Sequence, residues 1–352
     1  MNILVSVSTL AFGGAEKQAV LDANMLSSHH TVFFLTFKNG ELATQLRPEI
    51  KLLLVDKTNY IVTAWRVLKI LKKYKIDIVH AHLFAPMVLS SLASIFSRAS
   101  IIWNFHSHSY EDSAKARPGQ KYLAKLPTVK KILFPANELK EYYLHEGYDF
   151  SEKKSLIFYN STQVDGKISI EKIQNQNNVI GFIGRVIPLK RLHLLVDLAA
   201  ELLRRKVDNF EIWIIGDGPD RKRVEAYADE KKVGHKVKFL GFQSDTIKYY
   251  QQFDIFILPS EEEVLSLALI DAGMLGVASI AFDVGGNRDI VDDNETGFIV
   301  SSEGQLFDRV EELLKSEDLR IKMGSVSKER CLKKFGSETR EKNLLSLYDE
   351  VV

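Results

Sequence analysis

Residues 178–219, NVIGFIGRVIPLKRLHLLVDLAAELLRRKVDNFEIWIIGDGP, decide the fold. The oily run Val179–Ile183 ends on Gly184-Arg185, a helical stretch follows near 191–205, and a second oily run, Glu211–Ile215, ends on Gly216-Asp217-Gly218-Pro219. Strand, helix and strand in this order, with the strands oily on both faces, form the unit of a parallel sheet covered on both sides. Pro219 suits the first helical position, where its missing N–H costs nothing.

The same unit repeats outward in both directions. Downstream, strands are expected at Val237–Leu240, Ile255–Leu258 and Val277–Ala281, with helices near 219–232, 245–251 and 266–275; the tail from about 304 to 351 reads as helices only. Upstream, strands are expected at Ile3–Val7, Thr31–Leu35, Lys51–Val55, Ile76–His80, Ser100–Asn104, Lys131–Phe134 and Ser155–Phe158, with helices near 15–26, 61–74, 84–96 and 136–146. Between the two series lies STQVDGKISIEKIQNQNN (161–178), polar and poor in large aromatics, which is the best domain boundary. The expected organisation is two Rossmann-like domains, 1–162 and 179–335, joined by a linker over 163–178. A terminal helix, 336–352, has no strand after it and is expected to pack back on the first domain. Ligands bind such sheets beyond the strand C-terminal ends, so the active site is expected in a cleft between the domains.

Composition agrees with two well-cored domains: 352 residues, 45% apolar and 26% charged, with 8 Pro. The one cysteine, Cys331, excludes an internal disulfide framework and a cysteine-rich metal centre, and fits a reducing compartment. The opening segment reaches Gly13, Gly14 and Glu16 before a signal-peptide core can form, and no window offers a membrane-spanning apolar run. A cytoplasmic protein is expected.

The net charge of +1 conceals an asymmetry. Residues 1–160 hold 20 Lys+Arg against 13 Asp+Glu, leaving 27 against 33 for the remainder. Cations cluster at Arg66, Lys69, Lys72, Lys73 and Lys75, interleaved with Trp65, Leu68, Ile70 and Leu71, and again at Lys115, Arg117, Lys121, Lys125, Lys130 and Lys131. A solvated helix face is the plain reading; contact with an anionic membrane surface is the functional one, and nucleic acid is not an expected partner.

Several turns carry candidate chemistry. Gly13-Gly14 follows the first strand, where paired glycines let backbone N–H groups approach an anion. It is not a GxGxxG, so no dinucleotide cofactor is implied. Arg185 and Lys190 follow a strand and can neutralise a diphosphate as its charge develops. Asp217 reads first as a helix cap, and Gly241-Phe242 could set backbone groups against a flat base. In PSEEEVLSLALIDA (259–272), Glu263 precedes a helix and Asp271 lies within it, a spacing of about 12 Å along a full helix that suits gripping two hydroxyl-bearing parts of one ligand. His80/His82 and His106/His108 each form an HxH, but no third ligand has metal-site spacing, so no metal is expected. His106 is the better candidate for a hydrogen-bonding or orienting role.

In combination these stretches resemble the family 4 retaining glycosyltransferases of GT-B fold, of bacterial surface-polysaccharide type. The resemblance rests on GFIGRVIPLKRLHLL, IIGDGP, KFLGF, YYQQFDIFILPSEEEVLSLALIDA, GGNRDIV and ETGFIV, in family order, and on FGGAEKQ, DIVHAHL, NFHSH and IFYNSTQVD in the first half. It implies that Arg185 and Lys190 bind the diphosphate, that Glu263 holds donor-sugar hydroxyls, that Asp271 meets the ribose and that His106 lies beside the anomeric centre. Gly14, Gly184, Gly216, Gly241, Phe242, Val264 and Leu265 would line the donor site, with Gly13, His82 and His108 on the acceptor side. Four positions depart from the family pattern: Asp271 for Glu, Val264 for Gly, Arg191 for Gly after the lysine, and Asp289 for Glu. An altered donor pocket is expected from them.

The activity so implied is transfer of a hexosyl or N-acetylhexosaminyl group, with retention, from a nucleotide diphosphate sugar such as a UDP-sugar to a hydroxyl of a glycan or lipid-linked precursor. No metal and no cofactor beyond the donor would take part. Two alternatives remain: a sugar-nucleotide epimerase or hydrolase, which would turn over donor without acceptor, and a non-catalytic nucleotide-sugar-binding protein.

Overall fold

The computed structural model describes residues 1–108, 117–162, 164, 173 and 175–352. Most of the expected linker, together with Lys115, lies outside them, as does the side chain of Arg117. The chain folds as two compact units, Met1–Gln163 with Ser337–Val352, and Val164–Gly336.

The first unit is built on seven parallel strands: β1 (Asn2–Thr9), β2 (Thr31–Lys38), β3 (Lys51–Leu54), β4 (Ile78–His82), β5 (Ser100–Asn104), β6 (Val129–Phe134) and β7 (Ser155–Ile157). Their order is β3-β2-β1-β4-β5-β6-β7. Helices α1 (Gly14–Ser27), α2 (Tyr60–Lys73), α3 (Phe84–Ser94), α4 (Arg117–Leu123) and α5 (Asn137–His145) connect them. The second unit has six: β8 (Asn178–Ile183), β9 (Phe210–Ile215), β10 (Val237–Gly241), β11 (Ile255–Leu258), β12 (Ala278–Phe282) and β13 (Gly297–Val300), ordered β10-β9-β8-β11-β12-β13 and again all parallel. Its helices are α6 (His193–Arg204), α7 (Arg221–Glu230), α8 (Ile247–Tyr250), α9 (Leu267–Met274), α10 (Asn287–Ile290), α11 (Glu303–Lys315) and α12 (Glu317–Phe335). The last helix, α13 (Ser337–Val351), belongs to the first unit.

Both sheets are doubly wound. In each, the order runs one way from the first strand and then reverses, so β1 lies beside β4 and β8 beside β11. Loops leaving such a pair at their C-terminal ends diverge and leave a crevice, the usual ligand position in open parallel sheets.

Strand positions follow from burial on both faces. Ile3 to Val7 are all buried, which is why the sequence shows continuous oil rather than alternation. β4 begins two residues later than the sequence suggests. The end of α2 is closed by Ile76 N–H donating to the Leu71 carbonyl across Lys75, whose φ is +48°, and the turn consumes residues that read as strand. The shift puts His82 at the end of the strand rather than past it. β13 was not expected; GFIV opens on a glycine and leaves three apolar residues to mark a strand.

α13 packs into the core of the first unit. Leu344, Leu347, Tyr348 and Val351 are buried in one apolar cluster with Val7, Val20, Leu26, Ile78 and Ile102. Fully burying side chains of this size stabilises by about 1.5–3 kcal/mol each.

Candidate active site

In the second unit the β8 and β11 exits carry the candidate charges. Arg185 lies two residues past the end of β8, and its side chain is exposed with no ion pair among the described residues. Lys190 ends a short turn, Pro188–Lys190, and its ammonium pairs with Glu263, which lies in the loop between β11 and α9. Only 17% of the lysine and 11% of the glutamate side chain is exposed. The Ser260 hydroxyl donates to the same Glu263 oxygen at 2.7 Å. Glu263 is therefore held by a cation and a hydroxyl, both at the mouth of the sheet.

Arg191 was expected to add bulk to the pocket; its side chain turns elsewhere. Its backbone is left-handed (φ 46°, ψ 43°), which costs a non-glycine residue about 1–2 kcal/mol. The guanidinium offsets this by donating to the Pro259 carbonyl at 2.8 Å and the Ser260 carbonyl at 3.4 Å, and by lying 4.1 Å from the centre of the Phe282 ring. With Glu261 N–H donating to the Leu189 carbonyl, these contacts tie the Lys190 turn to the Glu263 loop.

Glycines set how closely the loops approach. Gly216 has φ +133°, and a Cβ there would lie 1.8 Å from the Gly184 carbonyl oxygen; its N–H donates to the Gly241 carbonyl at 2.8 Å. Gly285 has φ +53°, and a Cβ would lie 1.7 Å from the Glu263 carbonyl oxygen, while Gly286 N–H donates to the Val264 carbonyl. The exits of β8, β9 and β10 are thus locked to one another, and the Glu263-Val264 backbone is seated on the glycine pair after β12. Gly241 has φ +68° and is followed by an exposed Phe242.

The α9 entrance is capped by Ser266, whose hydroxyl accepts from Leu269 N–H at 3.3 Å. Leu265 is buried and Val264 half-buried. Asp271 lies in α9, its carboxylate near the buried Tyr250, whose hydroxyl donates to the Ala268 carbonyl; burial first, and then Asp271, push the Tyr250 hydroxyl well above its usual range. Asp217 accepts from Gly218 N–H at 2.7 Å and pairs with Arg221, a role at the entry of α7. Asp289 accepts from Lys334 of α12.

In the first unit, Gly13 caps α1 in an extended conformation and Gly14 opens the helix. The histidines converge at the ends of β4 and β5. His82 Nδ1 and His106 Nε2 lie 2.9 Å apart with ring planes 15° from parallel, and His80 Nδ1 lies 2.8 Å from the Tyr348 hydroxyl of α13. His82 is fully buried, so its side chain is not open to the acceptor contact expected of it. His108 pairs with Glu138 at 2.8 Å. Burial, chiefly, drives the histidines neutral: His80 is lowered to about 4, His106 to about 3 and His82 well below its ordinary value, with Arg340 adding to each.

Beneath them lies a buried group that the sequence did not reveal. Arg340 of α13 donates to both oxygens of Asp22 in α1, at 2.6 and 2.7 Å, and to the Tyr159 carbonyl. Gln18 donates to Asp22 at 2.8 Å and accepts from Ser161 N–H at 2.8 Å, which joins the FGGAEKQ and FYNST stretches. Ligand atoms of Asp22, His80 and His82 lie within 4.8 Å of one another, a metal-like cluster. The guanidinium of Arg340 already occupies Asp22 as its cation, so the donor set does not suit a metal ion. The one available signal was the i, i+4 spacing of Gln18 and Asp22; Ser260 and Arg340 carried none, and Arg191 showed only as a departure from the family's glycine.

Two doubly wound parallel sheets with their candidate residues at the reversal points define a GT-B protein. Residues 12–164 match the family described as Glycosyltransferase Family 4, and residues 165–330 the family described as Glycosyl transferases group 1. The chain belongs to the family 4 glycosyltransferases, and it is a glycosyltransferase. It is 25% identical, over its whole length and 99% of the relative, to the GalNAc-alpha-(1->4)-GalNAc-alpha-(1->3)-diNAcBac-PP-undecaprenol alpha-1,4-N-acetyl-D-galactosaminyltransferase of Campylobacter jejuni. Among solved structures it is similar to a glycosyltransferase from Rickettsia africae (TM-score 0.84, 21% identity, 99% of this chain and 98% of that one). It is also similar to Anabaena HepE in complex with UDP (TM-score 0.87, 17% identity, 99% and 100%). Among the described residues no helix is long and apolar enough to cross a membrane.

Proposed function

We propose that the chain moves a hexosyl or N-acetylhexosaminyl group, with retention, from a UDP-sugar to a hydroxyl of a glycan or lipid-linked glycan precursor in bacterial surface-polysaccharide synthesis. The observation that carries this reading is the Lys190–Glu263 pair, held by Ser260 and braced by Arg191, with exposed Arg185 at the same sheet end. A diphosphate competes with Glu263 for Lys190, and the carboxylate so released accepts sugar hydroxyls. Phe242 and the Gly241 turn are assigned to the base, Asp271 to the ribose, and His106 to the anomeric centre. The acceptor oxygen forms its bond to the anomeric carbon as the bond to the β-phosphate oxygen breaks; the proton passes to the departing phosphate, and Arg185 and Lys190 stabilise the charge that develops there. No step requires a metal ion or a cofactor. The name of the Campylobacter relative, with its undecaprenol-diphosphate acceptor, supports a lipid-linked acceptor, and the UDP of the Anabaena structure supports a uridine donor.

Ligand-observed NMR against a panel of nucleotide sugars, with Arg185→Ala as matched control, tests the reading. One donor should bind to the wild type and not to the control; no binding by folded wild type would shift the function to a non-catalytic one, and donor turnover without acceptor would shift it to a hydrolase or epimerase.

A lipid-linked acceptor brings the enzyme to a bilayer. α2 presents Ile61, Val62 and Trp65 to solvent, Ile61 being 82% exposed, and Lys69 lies 3.4 Å from the Trp65 ring centre, with Lys72 and Lys73 one turn on. This helix is assigned to an anionic membrane surface. Flotation with anionic vesicles at physiological salt should carry the wild type and leave an Ile61→Asp/Trp65→Asp variant in the soluble fraction; wild type left behind would remove the membrane assignment.

A further inference from the structure

The buried pair at α1 and α13 is coupled to the histidine at the β5 exit. We propose that Asp22, clamped by Arg340 of the terminal helix, is a positioning residue that fixes the tautomer of His82 and, through it, that of His106, so that His106 carries its lone pair on Nδ1 and works there as a hydrogen-bond acceptor. The inference rests on the reading above only in assigning His106 to the sugar; the proton order is a property of the first unit alone.

His82 Nδ1 and His106 Nε2 are 2.9 Å apart with nearly parallel rings, so one proton lies between them. Two orders satisfy this for neutral rings. If His82 donates, its Nε2 bears a lone pair; if His106 donates, His82 Nε2 bears the proton. His82 Nε2 is buried, makes no hydrogen bond, and lies 3.8 Å from Asp22 Oδ2. A lone pair facing a carboxylate in a dry interior is repelled, whereas an N–H is attracted. The second order therefore wins: His82 keeps its proton on Nε2, His106 donates from Nε2, and Nδ1 of His106 accepts.

Arg340 has two effects here. Its bidentate grip, with Gln18 on the same Oδ1, fixes which way Asp22 Oδ2 points. Its charge adds to burial, the larger cause, in keeping the imidazoles neutral, and a neutral ring is the condition for tautomer choice. α13 further supplies Tyr348 to His80, whose ring centre is 4.4 Å from that of His82. The terminal helix thus braces the β4 and β5 exits from beneath. At the sugar, a histidine of this tautomer accepts an O–H from a hydroxyl and does not donate to a departing phosphate oxygen.

The test is long-range proton–nitrogen NMR of the full-length, ligand-free protein at neutral pH, with the imidazole signals assigned through His82→Gln and His106→Gln. The expected result is a protonated, pyrrole-like Nε2 and an unprotonated, pyridine-like Nδ1 for both His82 and His106. A protonated Nδ1 on His106 in the wild type would overturn the proposal with no further variant. Asp22→Asn should convert His106 to the opposite tautomer or to a mixture. Because that change leaves Arg340 buried without its partner, Asp22→Asn/Arg340→Met, which removes both charges, serves as the second arm; retention of the wild-type tautomer in a folded double variant would also overturn it. Loss of sugar binding with the wild-type tautomer intact would count against the assignment of His106 to the sugar and leave the proton order standing.

Discussion

The two units use one frame for opposite electrostatics. At the reversal point of the second sheet, cations and a carboxylate meet with part of their surface open to solvent. At the reversal point of the first, three neutral imidazoles stand above a carboxylate and guanidinium that are fully enclosed. Fixed topology therefore places a site without dictating its chemistry. Burial decides whether the groups at that place act as exchangeable charges or as directional hydrogen-bonding atoms.

The largest expected effect breaks the charged side. Glu263→Ala and Arg185→Ala should each reduce transfer by at least about 100-fold while far-ultraviolet circular dichroism and the melting temperature stay near wild type. Transfer at the wild-type rate by either folded variant would dissolve the assignment. The neutral side should fail with acid. Histidines whose folded values lie below the unfolded 6.5, to about 4 for His80 and about 3 for His106, bind more protons when unfolded, so stability is complete above about pH 6.5 and declines as pH falls. The slope should reach about 1.4 kcal/mol per pH unit for each histidine. Urea midpoints at pH 7.5, 6 and 5 measure it; equal midpoints would show that the imidazoles are already charged or solvated.

Backbone changes sharpen the contrast further. Gly216→Ala meets both a positive φ and the Gly184 carbonyl, and should cost about 2 kcal/mol of stability with loss of nucleotide binding, read by calorimetry. Arg191→Gly should have the smallest effect on stability, within about 1 kcal/mol, since the relieved left-handed strain offsets the lost contacts. UDP binding should nonetheless weaken as the Lys190 turn loosens. Binding unchanged in this variant would mean that the Glu261–Leu189 backbone bond alone holds the turn.

Much of the frame was legible because parallel strands buried on both faces leave uninterrupted apolar runs. Val179–Ile183 and Glu211–Ile215 needed little more than their glycine exits to be recognised, and Lys190 and Glu263 could be singled out because each follows such a run. The brace of Arg191 was not legible: its meaning depends on a left-handed φ and on carbonyls nearly seventy residues away. Nor was Arg340, which sits on a helix of mixed polarity and meets Asp22 across 318 residues of chain. β13 was missed for a different reason: it opens on Gly297, which leaves three apolar residues to mark it, where the equally short β11 is apolar throughout. Local pattern reports elements and their exits, while contacts made across the fold leave no periodic trace.

The return of the last helix to the first unit also bears on synthesis. Leu344, Leu347, Tyr348 and Val351 complete a core whose other buried members are within the first 160 residues, and Arg340 of the same helix reaches Asp22. On the ribosome, the segment encoded second has all its strands available before the segment encoded first has its final helix. The second unit can therefore close first, while the first waits for α13 to emerge, its α1 face uncovered and Asp22 without its guanidinium. A chain cut before Ser337 would strand the N-terminal unit rather than the C-terminal one.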